Sequence, residues 1–147
     1  MKHICSILIL YCVAISCDTE QNSEPETLDF KKFTIEIPET WQRTQKQGYD
    51  SYVEQIITDY GEEINFDLGG YSNELNVDNS THVITRTRID HKKAKIVSPK
   101  NFGLGTTGVY FDSLDINETT KFQMSGVNLR PETQVLLLAA IETLEFK

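Results

Sequence analysis

Phe33-Thr34-Ile35-Glu36-Ile37-Pro38-Glu39-Thr40-Trp41 decides the fold class. Phe33, Ile35 and Ile37 alternate with Thr34 and Glu36, which is the period of a strand with one buried face. Pro38 stops the strand, because proline has no N–H to give to a sheet ladder. Trp41 follows at once. It is expected to cover one end of the core rather than to line a ligand pocket.

Toward the C-terminus the same period returns. Val53 to Thr58 reads as a second strand. Tyr60-Gly61-Glu62 reads as a hairpin turn, with a glycine free to take positive φ. Ile64, Phe66 and Leu68 form a third strand that Gly69-Gly70 ends. Tyr71 to Ser80 is polar and rich in asparagine, so it is expected to be a loop. In His82 to Ile89, residues Val83, Thr85, Thr87 and Ile89 take one face, and Ile84, Arg86 and Arg88 take the other. Asp90-His91-Lys92 turns the chain into a partner strand, Ala94 to Val97. Val109 to Phe111 and Lys121 to Met124 read as two short strands around the acidic loop Asp112 to Thr120.

The last segment changes period. Val127-Asn128-Leu129 leads into Pro131 and Glu132, and both suit a first helical turn. Val135, Leu138 and Ala139 lie on one side of this helix, with Leu137, Ile141 and Leu144 close by. The broad apolar arc predicts a well-buried helix. Leu144-Glu145-Phe146 reads as a short closing strand. The sum is an α+β fold, an antiparallel β-sheet with a C-terminal helix packed on it.

Toward the N-terminus, Asp18 to Glu26 (DTEQNSEPE) holds no large apolar residue and reads as a flexible acidic tether. Lys2 followed by the apolar run Ile4 to Ile15 has the form of a secretory signal. The run falls short of the roughly 20 residues that span a bilayer. The division is therefore a leader at 1–16, a tether at 17–27 and a single α+β domain at 28–147. The cysteines are Cys5, Cys12 and Cys17. Removal of the leader would leave Cys17 alone, so the domain would have no disulfide and no thiol nucleophile.

Val13-Ala14-Ile15-Ser16-Cys17 resembles the lipobox of bacterial lipoproteins. Ile15 is bulkier than the commonest residue at its position. The resemblance implies cleavage before Cys17, acyl chains on Cys17 and attachment to a membrane. It also implies a place in a Gram-negative envelope, at the outer membrane on its periplasmic or surface face. Two or more acyl chains anchor a protein stably, whereas one does not. The stretch Phe33 to Trp41, together with the helix and apolar strand at Ala139 to Phe146, resembles Mog1/PsbP-like domains. That resemblance implies an antiparallel sheet flanked by helices, and it says almost nothing about activity.

The formal net charge of −8 disfavours nucleic acid and anionic headgroups as partners. The leader's one charged side chain is Lys2, so the remaining chain is more acidic still. It lacks the basic surface expected of a protein that serves an acidic partner. Gly103-Leu104-Gly105-Thr106-Thr107-Gly108 has dinucleotide-loop spacing, but Val109-Tyr110-Phe111 after it reads as a strand where that motif needs a helix. His82 and His91 sit in or beside a hairpin, without the spacing of a metal site. Carboxylates are abundant at Glu62, Glu63, Asp67, Asp78, Asp112, Asp115 and Glu118, and an acid pair among them cannot be found by spacing. No serine nucleophile motif is present.

These readings give no catalytic, cofactor-binding or metal residues and no cofactor. They predict a non-enzymatic, membrane-anchored accessory or binding module whose partner is an envelope protein or a small ligand. The alternative is a metal-independent hydrolase with paired acids in a cleft.

Overall fold

The computed structural model describes residues 24–117 and 119–147. The leader, Cys17, the tether up to residue 23 and Glu118 lie outside the described residues. Among those described, the chain is two antiparallel sheets and one helix. The strands are β1 (Pro25–Asp29), β2 (Phe33–Pro38), β3 (Gln42–Gln45), β4 (Tyr52–Ile57), β5 (Glu63–Gly69), β6 (His82–Ile89), β7 (Lys92–Pro99), β8 (Thr106–Phe111), β9 (Lys121–Val127) and β10 (Glu145–Phe146), with α1 (Pro131–Ile141) between the last two. The large sheet runs β3-β4-β5-β9-β8-β7-β6, and the small one runs β1-β2-β10. The α+β class and the C-terminal helix therefore hold. Among the described residues α1 is the one helix, and with the three-stranded sheet it forms the second layer.

The core lies between the layers. Register places Phe66, Met124, Val109 and Ile96 in one row across β5, β9, β8 and β7. Phe122, Phe111 and Ala94 lie one pleat away, on the same face, because side chains alternate with a period of two. Phe33, Ile35 and Ile37 of β2 close on them from the small sheet, and all three are buried. Trp41 is buried in the same cluster, as expected of a cover. Its N–H donates to the Pro38 carbonyl at 3.0 Å, which fixes the turn out of β2.

Two strands were not expected. β1 begins at Pro25, inside the segment read as tether. It pairs with β2 from Pro25↔Pro38 to Asp29↔Thr34. Proline is tolerated there because it opens an edge strand. β3, Gln42 to Gln45, has no apolar residue and no buried one. Register with β4 holds it in place. β8 and β9 are both longer than expected, since Thr106, Thr107 and Gly108 belong to β8 and Ser125 to Val127 belong to β9.

The helix also turns a different face inward. Thr133, Gln134, Leu137, Ala140 and Ile141 are buried. Val135 is 57% exposed and Leu136 is 42% exposed, and Ala139 also faces solvent. The orientation is set at the helix start. Arg130, at the N-cap, makes no side-chain cap. Instead Glu62, from the β4–β5 turn, accepts the Arg130 N–H at 2.6 Å on Oε1 and the Thr133 hydroxyl on Oε2. A carboxylate at this end satisfies an orphan N–H and meets the positive pole of the helix dipole. Glu62→Ala is expected to cost about 1–2 kcal/mol, read as a lower urea midpoint at unchanged slope. Asn128 was expected to lead into the helix. It takes φ 54° and ties down Gly105 instead: its Oδ1 accepts the Gly105 N–H at 2.8 Å, and its own N–H donates to the Gly105 carbonyl at 2.8 Å.

Candidate functional site

Alternation gives the large sheet a second, outward face. On it, register aligns Arg86, Lys95, Tyr110, Gln123 and Asp67 across β6, β7, β8, β9 and β5. Arg88 stands directly opposite Lys93, two positions along the same hairpin. Like charges placed opposite each other destabilise a sheet by a few tenths of a kcal/mol to about 1 kcal/mol per pair. Here two such pairs occur in succession, in a chain that is acidic overall. Among the described residues, none of Arg86, Arg88, Lys93 and Lys95 forms an ion pair. The Arg88 guanidinium donates to the His91 carbonyl at 2.8 Å.

These cations line an open cleft of about 840 Å³. Tyr110 contributes an aromatic wall, and the Lys95 ammonium lies 5.2 Å from its ring centre. Burial and a hydrogen bond to Asp112 push the Tyr110 phenol well above its ordinary range, so it stays a donor. It donates to Asp112 Oδ1 at 3.0 Å. The acidic residues of the cleft, Glu74 and Asp112, are both near Lys121, at 3.9 and 3.8 Å. Their charge is thus partly answered by Lys121, and the basic side of the cleft is left uncompensated.

The loop Tyr71 to Ser80 builds one bank of the cleft. It was expected as a polar loop, and it is a loop, but Leu75 is buried against Val97 and Tyr110 on the outward face, with Val77 and Ile84 beside them. The Asn73 side chain accepts the Leu75 N–H at 2.8 Å and supports Leu75 at φ 50°. This satellite cluster fixes where Glu74 stands.

The other candidates have structural duties. His82 Nε2 accepts the Thr106 N–H at 3.1 Å, and its Nδ1 is 2.8 Å from the Thr81 hydroxyl. A Cβ on Gly105 would lie 2.6 Å from His82 Nε2, so glycine is required at that crossing. The Gly103 to Gly108 stretch runs straight into β8, and no helix follows it. His91 sits in the β6–β7 turn with φ 61°. Asp115 accepts N–H groups from Asn117, Thr119 and Thr120 at 3.0 to 3.2 Å and so holds its own loop. Among the described residues, no three His, Cys, Asp or Glu side chains converge as a metal site. No described helix is long and apolar enough to cross a membrane.

The carboxyls with shifted affinity are scattered. Glu54 lies at the core edge, Asp78 before β6 and Asp115 in the β8–β9 loop, and each is held below its ordinary range. The sequence reading missed the cationic cleft. Arg86 and Arg88 were placed on one strand face, but their facing partners depend on the register across the turn.

Comparison with family models, with curated proteins and with solved structures returns no match to this chain.

Proposed function

We propose that this chain is a lipid-anchored envelope protein that binds an anionic ligand in the cleft over β6, β7 and β8 and does not transform it. The observation that carries the binding reading is the pair of facing cations, Arg86 with Lys95 and Arg88 with Lys93, left without carboxylate partners beside Tyr110. Repulsion that costs stability in the free protein is relieved when an anion enters. A phosphate or carboxylate group suits four cationic side chains of this kind. The four cations beside Tyr110 favour binding over the alternative of hydrolysis, which needs an acid facing a second carboxyl. The opening strand, its Pro38 and Trp41, and the return of β10 to pair with β2 support the Mog1/PsbP-like version of the α+β plan.

Tripolyphosphate is the simplest probe of the cleft. In a titration followed by NMR, saturable shifts of the Tyr110 ring and of the β6–β7 amides are expected, and they should weaken as salt screens the charges. Spectra unchanged at millimolar probe would overturn the binding reading. The anchor is tested separately. Cys17→Ala is expected to move the chain from the membrane fraction to the soluble fraction, because the acyl chains carry the membrane affinity. Full retention of the variant in the membrane would remove the lipid from the account.

A further inference from the structure

We propose that the free edge of β6 accepts an extended acidic peptide segment as an additional strand, with its carboxylates against Arg86 and Arg88. This rests on the anionic reading of the cleft and gives the ligand a class. Three observations converge on it.

The first is the edge itself. Among the described residues, β6 ends the seven-stranded sheet and pairs only with β7. The pairing is regular from His82↔Pro99 to Ile89↔Lys92, and no bulge twists the edge away. A long regular edge is a template for another strand.

The second is the phase of the ladder. Asp90 and His91 form a two-residue turn with φ 46° and 61°, the positive values that a type I′ hairpin needs. Such a turn makes Ile89 and Lys92 a hydrogen-bonded pair, and alternate pairs beyond it follow the same rule. At the far end the Lys100 N–H donates to the Thr81 carbonyl at 2.9 Å, which fixes the same phase. The odd-numbered residues of β6 therefore bond to β7. Ile84, Arg86 and Arg88 turn their backbone N–H and C=O groups to the open side. (The N–H of His82 is already given to the Asp78 carbonyl at 2.9 Å.)

The third is charge. The side chains of Arg86 and Arg88 lie on the cleft face, roughly 7 Å apart along the strand. A peptide in extended conformation presents alternate side chains at that same spacing. Acids at every second residue would then sit cross-strand from the two arginines, within reach of bidentate pairing. Charges on an edge strand also serve to prevent self-association. That role accounts for Arg86 and Arg88 but not for Lys93 and Lys95, which stand on the inner neighbour and face them. The same four cations repel a second copy of this edge, so the added strand must come from an acidic partner. Backbone pairing supplies affinity in such complexes, and alternate side chains supply selectivity.

The test uses the full chain in zwitterionic detergent micelles. The probe is a fluorescent peptide of eight residues, the length of β6, with glutamate alternating with threonine. A second peptide has the same sequence and charge, but the backbone nitrogens that would face β6 are methylated. The unmodified peptide is expected to bind roughly tenfold or more tighter than the methylated one. It should also slow hydrogen exchange at the amides of Ile84, Arg86 and Arg88. The R86E/R88E variant is expected to lose both peptides. Equal affinity for the two peptides would overturn strand addition and point to a polyanion held by charge alone. Absence of binding by the unmodified peptide would also overturn it. If tripolyphosphate still shifts the cleft resonances in that case, only strand addition falls. If it does not, the anionic reading falls too.

Discussion

Phe33→Ala is expected to lower the unfolding free energy by about 4 kcal/mol. The residue is fully buried and stands where the two sheets meet. Its ring lies 4.7 Å from Phe30, 4.9 Å from Phe66 and 5.0 Å from Phe122, so one truncation removes several packed aromatic contacts. Phe33 also pairs with Phe146 in the β2–β10 register, which ties the closing strand to the same point. The rings of Phe66, Phe122 and Phe146 are themselves anchored on separate strands and cannot all collapse into the gap. Domains of this size are stable by about 5–15 kcal/mol in total. The loss should therefore appear in urea unfolding as a large fall in midpoint. A change below about 1 kcal/mol would mean that the aromatic cluster is not the joint between layers.

Arg43→Ala is expected to cost about 2 kcal/mol at neutral pH and distinctly less in acid. Arg43 reaches diagonally across the β3–β4 ladder to Glu54 near the core edge, where Glu54 is only 4% exposed. Burial alone would push the Glu54 carboxyl up. Hydrogen bonds from Arg43 and from the Tyr52 hydroxyl, the latter at 2.5 Å, outweigh burial and leave it below its ordinary range. The Arg43 guanidinium also lies 4.6 Å from the Phe30 ring centre and donates to the Asp29 carbonyl at 3.2 Å, joining β3 to the small sheet.

A carboxyl whose affinity for protons is lowered on folding contributes stability above its unfolded pKa of about 4.3. That contribution is lost as pH falls through the lower folded value. In the variant the balance reverses. Burial then dominates, the proton is taken up at higher pH, and the penalty is largest when the carboxylate must stay charged. Urea unfolding at pH 7 and pH 3 should show the gap between variant and parent closing in acid. A Glu54→Leu change added to the variant should recover much of the loss, because no buried charge is left unpaired. An equal gap at both pH values would contradict the arrangement.

Period-two alternation was sufficient to read β2, β5 and the β6–β7 hairpin; in β2 and β5 it coincides with burial on one face, of Phe33, Ile35 and Ile37 and of Ile64 and Phe66. β3 could not be read that way. Gln42 to Gln45 has no apolar side chain, and what holds it is the Arg43–Glu54 pair across the register with β4. β1 resembles a tether in composition because it is an outer strand with little to bury. In α1, Val135, Leu136, Leu137 and Leu138 are consecutive, so apolar periodicity cannot choose a face. The choice is made by Glu62, which lies 68 residues before Arg130 in sequence. The cleft was hidden for a related reason. A net charge of −8 describes the whole chain and says nothing about four cations gathered on one hairpin. Only the register through Asp90-His91 brings Arg86 to Lys95 and Arg88 to Lys93.

This hairpin face is the one proposed to receive an anion. The most direct measurement compares tripolyphosphate titrations of the parent chain and of R86E/K95E, which turns one facing pair from cationic to acidic. Both side chains point outward, and one like-charged pair replaces another, so the fold and the urea midpoint are expected to stay close to the parent's. Saturable binding by the parent is expected, with a fall in affinity of roughly 30-fold or more in the variant, about 2 kcal/mol. Equal affinity in the two chains, with both folded, would contradict it.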